Sequence, residues 1–419
     1  MKKYLGNQVN RIVKYRILIQ NFSYLSAVQI LIMLIPLITY PYLIRVLGKE
    51  KYGLVVFAQA LVGYLLILVG FGFNISATKE VSLYQKNKIK LNEIVSSILL
   101  IKIILFSISI LSLLTILFFF KSLQSYTLLL FLSMWICLDD IISPFWYFQG
   151  IERMKFITYI SLFNRLIFLG LIFIFIKTPA DYLYVPAING MGTIISGIIA
   201  FYIIIKIHKI QLAPQPIKTL KYYFKESIPI FISNVSIKIY VSTNKVILGA
   251  FLGMADVAFY DLGEKIVSLL KIPQGLINQT IFPKINKDKD INFVKKLFKI
   301  TIILNTILTI LVIACAKLLV MFLGGPQMTP AIWVIIILSL SVPIIAMSNI
   351  FGIQILIPFG YSRKFSQVII FSGIIYLLQL FLLWSIFKIN IYSVSIITVV
   401  TEIFVTCYMY FYCKKLKLW

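Results

Sequence analysis

Asp139 and Asp140 stand side by side in an apolar run, 126–147, that could otherwise lie in lipid. A carboxylate near the middle of a membrane helix costs on the order of 2.5–3.5 kcal/mol. A pair of them implies a partner cation or a hydrated cavity. Carboxylates so placed can hold a cation or exchange a proton, and amines or guanidinium groups can grip a phosphate. Lys102 and Arg165, in flanking apolar runs, complete a first set. A second set lies in the other half of the chain. Lys238 and Lys245 are seven apart, hence on one helix face, and Asp261, Glu264 and Lys265 share another by their spacing of three and four. Lys271 and Glu402 stand in runs of the same kind, and Asn164, Asn234 and Asn244 recur beside the ions. Two readings compete for these groups. They form buried pairs such as Asp140–Arg165 and Glu264–Lys245 that hold a bundle together, or they line a water-filled cavity.

The elements that must position them are membrane helices. The chain is 60% hydrophobic and 13% charged, too apolar to cover a soluble core of 419 residues. Its apolar residues fall into twelve runs, near 24–44, 54–73, 95–119, 126–147, 157–176, 182–205, 228–252, 257–279, 298–322, 331–357, 366–387 and 391–412. About 20 residues at 1.5 Å each span about 30 Å of hydrocarbon. The runs lack a two-residue alternation, which argues against a barrel. Met1–Gln20 is basic, and no small-x-small cleavage site precedes the first run, so that run is expected to be a retained span. Several runs carry proline, among them Pro36, Pro41, Pro144, Pro273 and Pro343, which either bends the helix for a moving cavity or is merely tolerated.

A net charge of +26 raises the possibility of a nucleic-acid partner, but its distribution excludes one. With the N-terminus in the cytoplasm, 26 of the 40 Lys and Arg fall in inner segments, six in outer loops and eight within runs. That bias places both termini in the cytoplasm and makes the inner face attractive to anionic lipid. Asp140, Lys102 and Arg165 then fall at one depth, roughly 10–12 Å from the cytoplasmic surface at 1.5 Å per residue. The four cysteines show no paired spacing, and His208 is the sole histidine, in an inner loop. Neither metal, cofactor nor catalytic histidine is expected. No G-x-x-x-x-G-K-[ST] run occurs, which removes a nucleotide motor within this chain. The outer loops are about ten residues or fewer, too short for the catalytic loop of a glycan polymerase or ligase.

The longest inner loops are 206–226, at the midpoint, and one that reads FPKINKDKDINFVKKLFK. An internal repeat supports a division at the first. Leu47-Gly48 precedes Tyr52-Gly53 by the same spacing as Leu252-Gly253 precedes Val257-Ala258, at an offset of 205 residues. The fold class expected is an all-α integral membrane protein, with twelve transmembrane helices in two pseudo-symmetric six-helix lobes around a central cavity. The lobes are 1–206 and 227–419, joined by a basic cytoplasmic linker, 207–226.

Four stretches carry a family resemblance: PLITYPYLIRVLGKEKYGLVVFAQALVGY (36–64), FGFNISATKEVS (71–82), FWYFQGIERMKFIT (145–158) and, more loosely, VAFYDLGEKIV (257–267) with IFPKI (281–285). With these the chain resembles Wzx-type O-antigen flippases, of the superfamily that includes the multidrug and toxin extrusion antiporters. The resemblance implies a flippase of the bacterial inner membrane. It would move undecaprenyl-diphosphate-linked oligosaccharide from the cytoplasmic to the periplasmic leaflet by alternating access coupled to an ion gradient, with a glycan polymerase and a chain-length regulator as further partners. From depth and charge, the candidates for the anionic headgroup are Arg165, Lys238, Lys245 and Lys265, with Lys102 and Lys271. Those for the coupling ion are Asp139, Asp140, Asp261, Glu264 and Glu402. The competing reading is a multidrug cation antiporter, whose cavity should show an acidic excess.

Overall fold

The structure, a computed structural model, describes the backbone of residues 2–386 and 388–419. It describes the side chains of Tyr24 and of residues 35–419, apart from 237, 240, 241, 276, 279, 280, 283, 284 and 387. The expected basic tail and the first part of the expected span 24–44 lie outside the described side chains. Among the described residues every regular element is helical, and nine helices are long and apolar enough to cross a membrane. In lipid every backbone group must find its partner within the protein, which helices achieve one by one. The chain is an all-α, multi-pass integral membrane protein.

The composition of individual helices shows how they sit. Lys88–Phe119 starts where Asn87 accepts a hydrogen bond from the Lys90 backbone N–H at 3.1 Å. It buries Ile94, Ile98, Lys102, Leu105, Ser109, Leu113 and Leu117, spaced by three or four residues. Its outward residues, including Ile104, Ile108, Leu111 and Phe118, are as apolar as the buried ones. A helix apolar all round belongs in lipid. Ile291–Leu323 repeats the pattern, with Asp290 as its N-cap and Ile300, Ile303, Ile307 and Ile310 outward.

Nine, counted among the described residues, is fewer than the twelve runs of the sequence. The expected spans 24–44 and 54–73 fall in one helical stretch, Lys2–Gly70, interrupted at Gly48. The expected spans 228–252 and 257–279 are helical, as Ile217–Phe251 and as Met254–Leu270 followed by Ile272–Asp288, but are not among the nine. These are the helices that carry Lys238, Lys245, Asp261, Glu264 and Lys265. The expected run 126–147 is divided into Thr127–Ser133, Trp135–Ile142 and Phe145–Gly150. Pro144 supplies no backbone donor, and ψ angles of +76° at Ser143 and +63° at Pro144 turn the chain out of the helix.

Contacts gather the chain into two units. One comprises Leu61–Asn234 with the stretch that ends at Tyr42, and the other comprises Leu43–Ala60 with Val235–Trp419. Within the first, two of the quoted motifs hold each other. The helix Phe73–Leu83 meets the short helix Phe145–Gly150, where a Cβ on Gly150 would stand 2.5 Å from Val81. Thr78 Oγ1 donates to the Trp146 carbonyl at 3.2 Å and Gln85 Nε2 to the Gly150 carbonyl at 2.8 Å.

Within the second, the internal repeat has a structural cause. Gly48 (φ +73°, ψ 166°) and Gly253 (φ +142°, ψ 171°) both occupy a region of backbone space that is essentially glycine's alone. Each breaks the chain ahead of a helix that carries pocket residues. The two matched stretches then pack together: a Cβ on Gly53 would lie 3.3 Å from the Ala258 nitrogen.

Candidate functional site

The ions of the second unit converge. Asp261, 3% exposed, faces out of Met254–Leu270 between two lysines. Lys245 Nζ lies 2.7 Å from Asp261 Oδ1 and 2.5 Å from Glu264 Oε2, and Lys265 pairs with Asp261 Oδ2. Tyr52 donates to that same oxygen at 2.8 Å, while Lys265 donates to the Tyr52 hydroxyl at 2.5 Å and stands over its ring. The expected Glu264–Lys245 pair is present. Spacing alone did not show that Asp261 is the centre, bonded by three groups.

Lys245, Asp261, Glu264 and Lys265 line a pocket of about 200 Å³ together with Val56, Gln59, Ala60, Lys238 and Ser242. Lys238 and Lys245 share it, as their seven-residue spacing predicts. Three lysines face two carboxylates, a surplus of one positive charge. Among the described residues no ion pair engages Lys238, whereas Lys245 and Lys265 are both held. The pocket therefore offers one uncommitted ammonium group beside two positioned ones. That arrangement suits an anion larger than a carboxylate, since a phosphate group has acceptor oxygens for several donors at once. Asn244 does not join it: it accepts from Tyr376, donates to Tyr260 and Thr398, and ties three helices.

The first unit holds the other cluster. Lys102, fully buried, donates to Asp140 Oδ2 and to the Asp140 carbonyl, each at 2.7 Å. The expected Asp140–Arg165 pair is thus corrected: the partner is Lys102. Arg165 acts on Asp139 instead, through space, and forms no ion pair among the described residues. Being buried and held twice by Asp140, the Lys102 ammonium is not presented to a ligand. Asp139 accepts from Ser143 Oγ at 2.8 Å. Asp139 and Asp140 line a pocket of about 340 Å³ with Asn74, Trp135, Phe145, Trp146 and Gln149. Lys271 and Glu402 belong to neither pocket lining; each is half-buried, and the charge of Lys271 acts on Glu402.

The polar and aromatic partners Tyr52, Gln59, Ser242, Asn74, Trp135 and Gln149 were missed in the sequence. The signal available was the seven-residue interval from Tyr52 to Gln59, inside a stretch already singled out.

The one histidine has a structural place outside the apolar helices. His208 Nδ1 meets the Tyr147 hydroxyl at 3.1 Å and Nε2 meets Arg153 Nη1 at 3.3 Å. Arginine can only donate, so Nε2 accepts and Nδ1–H donates to Tyr147. Burial first, and Arg153 second, lower the pKa of His208. A group depressed on folding contributes stability above its unfolded value, near 6.5, and loses it as pH falls through the folded value. The melting midpoint of the detergent-solubilised protein should therefore fall as pH drops from about 7 to about 5. His208→Gln should flatten that dependence; an unchanged pH profile in the variant would show that the contact carries no stability.

A helical membrane fold with ions gathered in internal pockets defines a transporter rather than an enzyme. The chain belongs to the polysaccharide biosynthesis protein family, whose sequence profile matches residues 18–289. It is 29% identical over 408 residues to "Putative O-antigen transporter" of Escherichia coli (strain K12), covering 95% of this chain and 97% of that one. A protein of the same name from Shigella dysenteriae is 27% identical over 387 residues, covering 90% and 95%. Two solved structures share the fold. The inward-facing conformation of a multidrug resistance MATE family transporter of the MOP superfamily has a TM-score of 0.74 at 12% identity, covering 94% of this chain and 99% of that one. The lipid II flippase MurJ, in an inward closed conformation, has a TM-score of 0.72 at 16% identity, covering 94% and 87%.

Proposed function

We propose that the protein is a flippase for undecaprenyl-diphosphate-linked oligosaccharide, carrying it from the cytoplasmic to the periplasmic leaflet of the bacterial inner membrane by alternating access. The observation that carries this reading is the lysine-rich pocket of Lys238, Lys245 and Lys265 in a chain of the polysaccharide biosynthesis family. A glycan cannot cross hydrocarbon unaided, and a diphosphate calls for several ammonium donors. Lys238 is the first donor, because Lys245 and Lys265 are positioned by Asp261 and must share themselves with it. Arg165 and Lys271 stay as further candidates for the headgroup. Both termini would face the cytoplasm, where the basic loops meet anionic lipid. A polymerase and a chain-length regulator would receive the exported unit.

For coupling to an ion gradient the carboxylates narrow. Asp140, Asp261 and Glu264 are each bonded to lysine, which leaves Glu402 and Asp139 as the groups best placed to exchange an ion. A multidrug antiporter has a similar fold, but a pocket with surplus positive charge repels cationic drugs.

The test is a strain deleted for the gene. Lipid-linked oligosaccharide should accumulate and surface polysaccharide should vanish, both restored by the intact gene. Unchanged glycan with heightened drug sensitivity would move the protein to the antiporters. Lys238→Met should restore at most about a tenth of the surface polymer, the scale of one lost charge-assisted bond. Its abundance and melting midpoint should match the wild type, since no ion pair is broken. Full polymer in that variant would remove Lys238 from the site.

A further inference from the structure

The pocket of the first unit has a composition that a coupling ion does not need. Its wall includes Trp135, Phe145 and Trp146, and its polar groups are the carboxylates of Asp139 and Asp140, the amides of Asn74 and Gln149, and the Ser143 hydroxyl. We propose that it is a sugar-binding subsite that reads neutral or amino sugars of the transported glycan and rejects acidic ones. The proposal rests on the flippase reading and deepens it.

A pyranose has two kinds of surface. Its axial C–H groups form an apolar face that lies against an aromatic ring, and its hydroxyl rim both donates and accepts. The pocket matches both. Trp135 is half-buried and Phe145 likewise, so flat apolar area is presented at its wall. Asp139 uses one oxygen for Ser143, which leaves acceptor capacity, for a carboxylate has about four lone-pair sites. Asn74 reaches Asp140 Oδ1 only at 3.5 Å, a weak bond that a sugar hydroxyl can replace.

Trp146 is 1% exposed and Trp135 is half-buried, so Trp135 is the indole open to a ligand. The volume, about 340 Å³, lies near the lower end of small-molecule sites, roughly 300–1,000 Å³. That suits a mono- or disaccharide.

Charge sets the selectivity. Lys102 is committed to Asp140, and Arg165 forms no ion pair with either aspartate among the described residues. A uronic acid would bring its carboxylate against Asp139, whereas an amine or a neutral hydroxyl would be accepted.

Saturation-transfer NMR on the purified full-length protein in nanodiscs tests this, with a neutral N-acetylated trisaccharide and a uronic-acid-containing trisaccharide as probes. The neutral probe should receive saturation on its ring C–H protons and the acidic probe should not. Trp135→Ala should weaken binding about tenfold, the scale of one aromatic contact, and Trp135→Phe should retain most of it. Asp139→Asn, which keeps shape and folding, should weaken the neutral probe and admit the acidic one. Equal signals from wild type, Trp135→Ala and Asp139→Asn overturn the subsite, and so does equal binding of both probes by the wild type. If the probes fail while the gene still restores surface polymer, the flippase reading stands without the subsite. If the gene restores no polymer, the flippase reading itself falls.

Discussion

Lys102→Met should lower the stability of the protein by about 3–5 kcal/mol, the scale of breaking one partner out of a buried ion pair. Lys102 is fully enclosed, and its ammonium satisfies two groups at once, the Asp140 carboxylate and the Asp140 carbonyl. Methionine fills the volume but returns neither bond. Asp140 would keep Asn74 at 3.5 Å, and its carbonyl would lose a buried partner. The second variant decides the cause. Replacing both partners with apolar residues, Lys102→Met with Asp140→Leu, removes the charge along with its counter-charge and should recover most of the loss. Melting of the solubilised protein, followed by its monodisperse fraction after heating, measures both. A single variant within about 1 kcal/mol of wild type would mean that Asp140 is hydrated as it stands. A double variant as unstable as the single would trace the loss to packing rather than charge. Lys102→Arg should resemble the methionine variant, since a planar guanidinium cannot occupy the space of a compact ammonium.

What the sequence discloses here depends on whether a property runs along one helix or between helices. Ions are so rare in apolar runs that Asp139, Asp140, Lys245, Asp261 and Glu264 announce themselves. The seven-residue interval put Lys238 and Lys245 on one face, and they do line one pocket. Partners across helices are another matter. Lys102 and Arg165 lie at the same expected depth beside Asp140, and rise per residue gives depth but not the rotation of each helix about its axis. Packing sets that rotation, and it turned Lys102 to Asp140 and left Arg165 without an ion pair among the described residues. The aromatic residues of the first unit were hidden for a related reason. Trp135 and Trp146 lie in a run that reads as one continuous helix, and the turn at Ser143 and Pro144 brings them to the same wall. Tyr52 stood in the sequence only as part of a repeat; the break at Gly48 sets its helix against Met254–Leu270 and brings its hydroxyl to Asp261. The repeat of leucine and glycine was visible as letters. Its meaning, two glycine-only breaks whose following turns pack on each other, needed the backbone angles.

Gly53→Ala should be among the most damaging single-methyl additions in the chain. The new Cβ would stand 1.7 Å from the Met254 carbonyl oxygen and 2.6 Å from its carbon. Both are backbone atoms, so no side chain can swing aside, and the two helices must move apart. Overpacking of a tight core costs about 1–3 kcal/mol, and a clash with backbone belongs at the upper end or beyond it. Two other glycines separate this cause from glycine effects in general. Gly48 has open space around its missing Cβ but a backbone angle of φ +73°, so alanine there should carry only the strain, about 1–3 kcal/mol. Gly275 lies in the helix Ile272–Asp288 with nothing within 4 Å among the described residues, and Gly275→Ala should stabilise by about 0.4–1 kcal/mol. The order of melting midpoints should therefore be Gly275→Ala above wild type, then Gly48→Ala, then Gly53→Ala. Transport should suffer more than stability in the last. Moving the Gly53 turn withdraws Val56 and Gln59 from the lysine-rich pocket and parts the Tyr52 hydroxyl from Asp261 and Lys265. If Gly53→Ala melts like Gly275→Ala and exports glycan normally, the close approach of the two repeats is not what holds the pocket together.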